Sequence, residues 1–171
     1  MKTLFLIRHA KSTWNIPGIT DIDRPLNERG YTDAHEMAAR LKKKFHPAKT
    51  GAFNGVIITS PATRALSTAL IFARHLTYDA SKILLHPLLY DTDTKHYSTV
   101  ISSLPDEFDT AILFGHNPVI SETANLLGGA DLDEMPTAGI VGIEFERNTW
   151  KQSLAFGGKM SFYDFPKNGG D

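Results

Sequence analysis

The chain has 171 residues, of which 42% are hydrophobic, and its 18 basic and 19 acidic residues leave a net charge of -1. This length suits one domain with a continuous core, and the balanced charge excludes a global field that would attract nucleic acid. Cysteine is absent, which excludes disulfides, thiolate metal sites and cysteine nucleophiles. No leader-like or membrane-length apolar run is found, so we expect a cytoplasmic protein without a membrane partner.

Strand-like and helix-like segments alternate along most of the chain. The apolar run from Thr3 to Arg8 predicts the first strand, and a long polar loop follows it over residues 11–27. The next predicted elements, in order, are a helix over 28–45, a strand over 56–59, a helix over 62–76, a weak strand over 83–85, a helix over 95–104, a strand over 110–114 and a helix over 118–127. A strand over 140–145, a turn over 147–149 and a strand over 150–156 then predict an antiparallel hairpin.

This alternation is typical of an α/β fold. We expect a three-layer sandwich in which helices cover both faces of a mostly parallel central sheet, with the C-terminal hairpin extending the sheet antiparallel. Neither a repeat nor a linker interrupts the pattern. The sequence therefore predicts a single domain over residues 1–166 and a flexible tail over 167–171, where two consecutive glycines occur.

Polar residues follow four of the predicted strands, at the point where each strand ends. They are Arg8 and His9 after the first strand, Ser60 and Arg64 after the second, Tyr90, Asp91 and Asp93 after the third, and His116 and Asn117 after the fourth. The carboxyl ends of parallel strands meet at one edge of a sheet, where α/β proteins bind their ligands. These residues are therefore expected to converge, although they are far apart in the sequence.

The two helix starts near this edge indicate a bound anion. Arg64 falls in the first turn of its helix, where the helix dipole disfavours a cation unless an anion is present. His116 precedes the next helix start at Pro118, where backbone N–H groups are free. Arginine offers planar, bidentate donor geometry, so arginines and histidines together predict a phosphate pocket.

Histidine is the expected nucleophile of this pocket. The sequence has neither a GxSxG elbow nor a Ser-His-Asp order on this frame, which leaves His9 as the covalent catalyst that attacks phosphorus. One ring nitrogen must be neutral for attack while the other donates to a fixed acceptor such as a backbone carbonyl, and neighbouring positive charge would lower the pKa. Arg8, Arg64 and His116 would neutralise the phosphoryl oxygens, so neither a metal nor a cofactor is required.

Three separated motifs carry a family resemblance. Arg8-His9-Ala10, the segment from Ser60 to Ala65 with Thr68-Ala69 behind it, and the segment from Gly115 to Pro118 together resemble the histidine phosphatase superfamily, whose fold is phosphoglycerate-mutase-like. The segment from Asp21 to Gly30, Leu89-Tyr90 and the small size resemble the SixA-type phosphohistidine phosphatases. The resemblance implies a metal-independent enzyme with His9 as nucleophile and Arg8, Arg64 and His116 as phosphate ligands.

Further site residues are expected around this set, and two positions depart from the family pattern. The predicted phosphate-binding or site-lining residues are Ser12, Asn15, Arg24 and Asn117, of which Arg24 could supply a third guanidinium or hold the first loop. Many superfamily members have glycine and glutamate where this chain has Ala10 and Lys11. The glutamate acid of the mutase branch has no clear counterpart, so the candidate proton donors are Asp21, Asp23 and Asp91.

Three functions are compatible with these residues. The leading hypothesis is hydrolysis of protein phosphohistidine through phospho-His9, with a phosphorylated protein of the histidine phosphotransfer type as partner. A phosphoramidate leaving group is more labile than an alkoxide and tolerates a weaker proton donor, and the short strand connections leave little material for a lid. The alternatives are a phosphomonoesterase acting on a small phosphorylated metabolite and a non-catalytic phosphate-binding module, which would have no need of a nucleophile.

Overall fold

The computed structural model describes residues 1–45, 53–90 and 93–169. Its strands are β1 (Lys2–Arg8), β2 (Val56–Thr59), β3 (Leu84–Leu85), β4 (Thr110–Gly115), β5 (Ile140–Phe145) and β6 (Lys159–Asp164). Its helices are α1 (Glu28–Phe45), α2 (Thr63–His75), α3 (Thr94–Ser102), α4 (Val119–Gly128) and α5 (Trp150–Phe156). Within the described residues, no helix combines the length and the apolar character that crossing a bilayer requires.

The strands form one sheet in the order β3-β2-β4-β1-β5-β6. The β3, β2, β4 and β1 strands pair in parallel, whereas β5 is antiparallel to both β1 and β6. In the register of the parallel strands, Arg8 lies opposite Gly115 and Thr59 lies opposite Phe114. The ends of β1, β2 and β4 therefore meet at one edge, as predicted.

Helices cover both faces of this sheet because alternate side chains of each strand point to opposite sides. Leu4 and Leu6 of β1 join a buried cluster with side chains of α3, α4 and α5, whereas Phe5 and Ile7 join a second cluster with α1 and α2. The central strands are buried on both faces, which explains their nearly continuous apolar sequence. The predicted three-layer α/β sandwich with a C-terminal antiparallel pair is confirmed.

The prediction of a strand over residues 150–156 is wrong, because these residues form α5. The Thr149 side chain caps the helix by accepting from the backbone N–H of Gln152, and Gly157 ends it with a positive φ of 69°. Trp150 is fully buried in the cluster beneath α3 and α4. The second strand of the antiparallel pair is instead β6, which begins at Lys159.

The last described residues form a 3-10 turn over Pro166–Gly169. The Asn168 side-chain amide donates to the carboxylate of Asp164 at 3.3 Å, and the Arg40 guanidinium of α1 donates to the Phe165 carbonyl at 3.2 Å. Residues 170–171 lie outside the described part of the chain. The domain boundary at residue 166 stays a prediction.

Candidate active site

His9 follows the last residue of β1 and is anchored by two hydrogen bonds to backbone carbonyls. Its backbone N–H donates to the carbonyl of Gly115 at 3.0 Å, and only 8% of the residue is exposed. Its Nδ1 lies 2.7 Å from the carbonyl oxygen of Ala10. A carbonyl can only accept, so this contact places the ring proton on Nδ1 and leaves the lone pair on Nε2. This is the backbone anchor that the sequence analysis expected.

Arg64 lies in the first turn of α2 and points at His9. Its Nε–H donates toward His9 Nε2 at 3.4 Å, and its two terminal nitrogens donate to the backbone carbonyl and the carboxylate of Asp21 at 2.7 and 3.1 Å. Thr68, one turn further along α2, accepts from the backbone N–H of Ala10 at 3.0 Å. The helix is thereby fastened to the end of β1. The Asp21 carboxylate therefore lies beside this guanidinium at the start of α2.

His116 follows β4 and faces His9 with a ring-centroid separation of 5.1 Å. Its Nε2 lies 2.8 Å from the Ser60 hydroxyl oxygen, and its backbone N–H donates to the Tyr97 hydroxyl at 3.1 Å. Its Nδ1 is buried without a hydrogen-bond partner. A Cβ at Gly115 would lie 2.1 Å from that tyrosine hydroxyl oxygen, so the close approach requires glycine there.

Arg8 and Asn117 meet at one backbone carbonyl between α4 and β5. The Met135 carbonyl accepts from Arg8 Nη1 at 2.6 Å and from Asn117 Nδ2 at 2.9 Å. The Asn117 side-chain oxygen accepts from the Ser121 hydroxyl at 2.6 Å, which fixes the amide. Arg8 Nε is buried and has no partner, so this guanidinium retains an unused donor.

Asp21 connects the loop after β1 to three surrounding side chains. Its carboxylate accepts from Arg24 Nε at 3.0 Å, from Arg64 Nη2 at 3.1 Å and from the Tyr90 hydroxyl at 2.7 Å. The Tyr90 hydrogen bond, followed by the charge of Arg64 and the hydrogen bonds of Arg64 and Arg24, lowers the pKa of Asp21 to about 2. The carboxyl group is ionised at neutral pH and carries no proton to donate. This disfavours Asp21 as the general acid.

Both histidines are held in the neutral form. Burial lowers the pKa of His9 to about 3, with smaller contributions in the same direction from the charges of His116, Arg64 and Arg8. Burial also lowers the pKa of His116 to about 4, followed by the charge of Arg64. Neighbouring cations were expected to lower the pKa of His9. The cations do so, but desolvation is the larger cause, because removing an imidazolium from water is costly.

These side chains open into a cavity of about 300 Å³. It is lined by Arg8, His9, Lys11, Ser12, Trp14, Arg24, Arg64, His116, Asn117 and Thr137. Four lining residues are cationic, and none of the lining residues in the described part of the chain is an aspartate or glutamate. The cavity therefore favours an anion, and it lies at the end of the parallel strands, where the pocket was expected.

Three lining residues were not assigned to the site from the sequence. They are Lys11, Trp14 and Thr137. The Trp14 ring is 70% exposed and lies over the Arg24 guanidinium, with 3.4 Å between the carbon Cζ and the ring centre. A tryptophan inside a polar loop without apolar periodicity was the available signal. Thr137 comes from the loop before β5 and had no signal.

Some predicted residues lie outside this cavity. Asn15 does not line it, and its backbone N–H donates to the Thr13 hydroxyl at 3.0 Å. Asp23 does not line it either, and its carboxylate accepts from the Thr20 hydroxyl at 2.6 Å. Asp91 lies outside the described residues. The described residues also contain no group of three or more histidines, aspartates or glutamates arranged to hold a metal ion.

A family model and a plant protein match this chain in sequence. The family sequence model of the histidine phosphatase superfamily (branch 1) matches residues 4–109, which is more than half of the chain. An uncharacterized chloroplastic protein of Arabidopsis thaliana is 29% identical over 166 residues, covering 92% of this chain and 72% of the plant protein.

Solved structures share the fold over nearly the whole chain. A protein of Agrobacterium tumefaciens described as a phosphohistidine phosphatase SixA is 25% identical, with a TM-score of 0.77 over 95% of this chain and 97% of that chain. The protein histidine phosphatase SixA complexed with tungstate is 20% identical, with a TM-score of 0.78 over 97% and 98%. A mycobacterial glucosyl-3-phosphoglycerate phosphatase is 14% identical, with a TM-score of 0.71 over 96% and 100%.

Proposed function

The chain belongs to the histidine phosphatase superfamily, and on that premise we propose that it is a phosphatase that hydrolyses protein phosphohistidine through a phospho-His9 intermediate. The observation that carries the proposal is the composition of the catalytic cavity, which we define as the cavity of about 300 Å³ around His9. It combines a neutral histidine, several cations and no described carboxylic acid. These features suit a phosphoryl group whose leaving group departs without a strong proton donor.

His9 is the proposed nucleophile because its Nε2 lone pair is free of a proton. The Ala10 carbonyl holds the proton on Nδ1, and a pKa of about 3 keeps the ring neutral at physiological pH. In the first step a bond forms between Nε2 and the substrate phosphorus. The backbone anchor then stabilises the positive charge that the imidazole gains as that bond forms.

The proposed phosphate ligands are Arg8, Arg24, Arg64 and His116, which line the same cavity. Arg64 lies nearest to the nucleophile, at 3.4 Å from His9 Nε2. Guanidinium donors placed around the transferring phosphoryl group offset the negative charge of its oxygens, and they need little reorganisation when the reaction occurs. Arg64 and Arg24 are already oriented by Asp21, which we therefore assign as a positioning residue.

The leaving group decides between the candidate substrates. In phosphohistidine the ring nitrogen that does not carry phosphorus can hold a proton near neutral pH. When the P–N bond breaks, such a ring departs as a neutral imidazole and takes its electron pair without help from an enzyme acid. The alcohol of a phosphomonoester would leave as an alkoxide, which requires a proton donor.

In the second step of the proposed reaction, water attacks phospho-His9, the P–Nε2 bond breaks, and inorganic phosphate is released.

The experiment that tests this function compares two substrate classes on the same enzyme. A histidine phosphotransfer domain phosphorylated with phosphoramidate is offered alongside a panel of sugar phosphates and nucleotides, with and without EDTA. We expect faster turnover of the phosphorylated domain, no loss with EDTA, and an acid-labile, alkali-stable phosphoenzyme. Preferential hydrolysis of a metabolite would support the phosphomonoesterase alternative, and binding without any turnover would support the non-catalytic module. A metal requirement would contradict the mechanism.

A further inference from the structure

A second cavity of about 420 Å³ adjoins the catalytic cavity. Arg8, Lys11 and Thr137 line both, so the two cavities share a wall. The remaining lining residues of the second cavity are Arg29, Glu134, Pro136, Phe165, Pro166 and Lys167. None of the residues unique to this cavity has a role in the mechanism above. We call it the adjacent cavity.

The adjacent cavity carries an excess of positive charge. Four of its lining residues are cationic, and Glu134 is the single acidic residue among the described ones that line it. Arg29, in the first turn of α1, is 55% exposed along its side chain and pairs with Asp33 at 3.3 Å. Lys11 and Lys167 are exposed. These cations belong to segments far apart in the sequence, so their convergence is a property of the fold.

Three apolar side chains lie among these cations. Pro136, Phe165 and Pro166 supply them, and the Arg40 contacts to the Phe165 and Pro166 carbonyls fasten the last two to α1. Apolar side chains beside cations fit a short aliphatic stem that ends in a carboxylate, which is the chemistry of a glutamate or aspartate side chain.

We propose that the adjacent cavity binds acidic side chains of the protein substrate that flank its phosphohistidine. This inference rests on the proposed function and names the sequence context that the enzyme prefers. A residue next to the phosphohistidine is about 3.8 Å away along the backbone, so its side chain reaches a cavity that shares a wall with the catalytic one. Partly exposed charges contribute modestly to affinity, and their main effect is on selectivity.

The test uses two synthetic peptides of equal length, each phosphorylated on one histidine. In one peptide glutamates flank the phosphohistidine, and in the other glutamines replace them. The test variant combines Arg29→Gln and Lys167→Gln. The matched control combines Arg147→Gln and Lys159→Gln, which remove the same charge from a cavity near the N-terminus. Unfolding temperatures verify that both variants are folded.

We expect the wild-type protein to favour the glutamate peptide by about fivefold in kcat/KM, mainly through KM. The test variant should lose this preference while its rate on the glutamine peptide stays unchanged, and the control should keep the preference. High salt should also reduce it, because screening weakens exposed charge pairs.

Three outcomes would overturn the inference while leaving the proposed function intact. These are equal turnover of the two peptides by the wild-type protein, a preference that survives in the test variant, and an equal loss in the control, which would indicate net charge alone. A KM effect seen only with a metabolite that carries two anionic groups would assign the cavity to another ligand. If neither peptide is hydrolysed and a metabolite is, the proposed function itself fails.

Discussion

Two pairs of histidine rings in this protein have similar geometry and different surroundings. His9 and His116 lie 5.1 Å apart between ring centroids with an interplanar angle of 51°, and His35 and His75 lie 5.3 Å apart with an angle of 64°. The first pair is buried at the ends of β1 and β4. The second pair bridges α1 and α2 at the exposed surface, where His35 Nδ1 and His75 Nε2 share a hydrogen bond of 3.0 Å.

The difference lies in what each ring nitrogen contacts. In the surface pair, one nitrogen of each ring is occupied by the other ring. In the buried pair, Ala10 and Ser60 anchor the two rings separately, and a guanidinium faces the Nε2 of His9. Proximity of two imidazoles is therefore insufficient to make a nucleophile. Separate anchors, burial and adjacent cations distinguish the proposed catalytic pair.

Replacement of the nucleophile should have the largest effect. We expect His9→Ala to lose at least about 10³-fold in turnover and to form no phosphoenzyme, because no other group attacks phosphorus. His75→Ala is the matched control and should stay within about twofold of the wild-type rate. Radiolabelled phosphoramidate and an acid-lability assay measure both. Label retained by His9→Ala would contradict the assignment.

Removal of the guanidinium beside the nucleophile should have the next largest effect. We expect Arg64→Ala to lower kcat/KM by about 10²–10³-fold, as for other donors aimed at transition-state charge. Arg74→Ala, an exposed arginine on the same helix, controls for general loss of charge. Steady-state kinetics on one phosphohistidine substrate measure both variants. Equal losses in the two variants would refute a local role for Arg64.

Acid should destabilise the protein through the buried pair. The folded-state pKa values of His9 and His116, about 3 and about 4, lie below the ordinary value of 6.5. The unfolded chain therefore binds more protons below pH 6.5, and stability is lost as the pH falls toward 4. For each pH unit, each ring lowers the free energy of unfolding by at most about 1.4 kcal/mol, which is about tenfold in the unfolding equilibrium.

Urea unfolding between pH 7 and pH 4 measures the slope of the free energy of unfolding against pH. His116→Gln should flatten it, because glutamine does not titrate. His75→Gln should change the slope less, because the His75 ring is only partly buried. Burial and the charge of His35 do lower its pKa. An identical slope in the wild-type protein and His116→Gln would show that folding does not lower the pKa of this ring.

The smallest effect is expected at the carboxylate that orients the arginines. Asp21→Asn removes a negative charge that competes with phosphate for Arg24 and Arg64. Arg64 keeps its orienting hydrogen bond to the backbone carbonyl of residue 21, so the loss of charge should dominate and inorganic phosphate should inhibit about fivefold more strongly. Asp23→Asn is the control, since that carboxylate contacts Thr20. Competitive inhibition constants measure the effect. Weaker inhibition in Asp21→Asn would indicate that arginine positioning outweighs charge.

Most of the fold was predictable because its signals are local. The predicted bounds equal the observed ones for β2 and β5, which are apolar runs, and for α1, which has amphipathic periodicity. The helix over 150–156 was not predictable, since so short a segment satisfies a strand pattern as well as a helical one. Capping by Thr149 and burial of Trp150 under α3 and α4 decide in favour of the helix.

The sequence by itself determined the strand ends and hence the meeting of Arg8, His9, Arg64 and His116, because parallel strands place their carboxyl ends at one edge. Only the tertiary structure decided the ionisation and orientation of these groups. Burial sets the pKa of both histidines, and Asp21 reaches Arg24, Arg64 and Tyr90 from a loop whose path no local pattern encodes. The adjacent cavity is likewise lined by residues of both α1 and the C-terminal turn. Desolvation and long-range charge pairing depend on which segments pack together, and local sequence does not specify that packing.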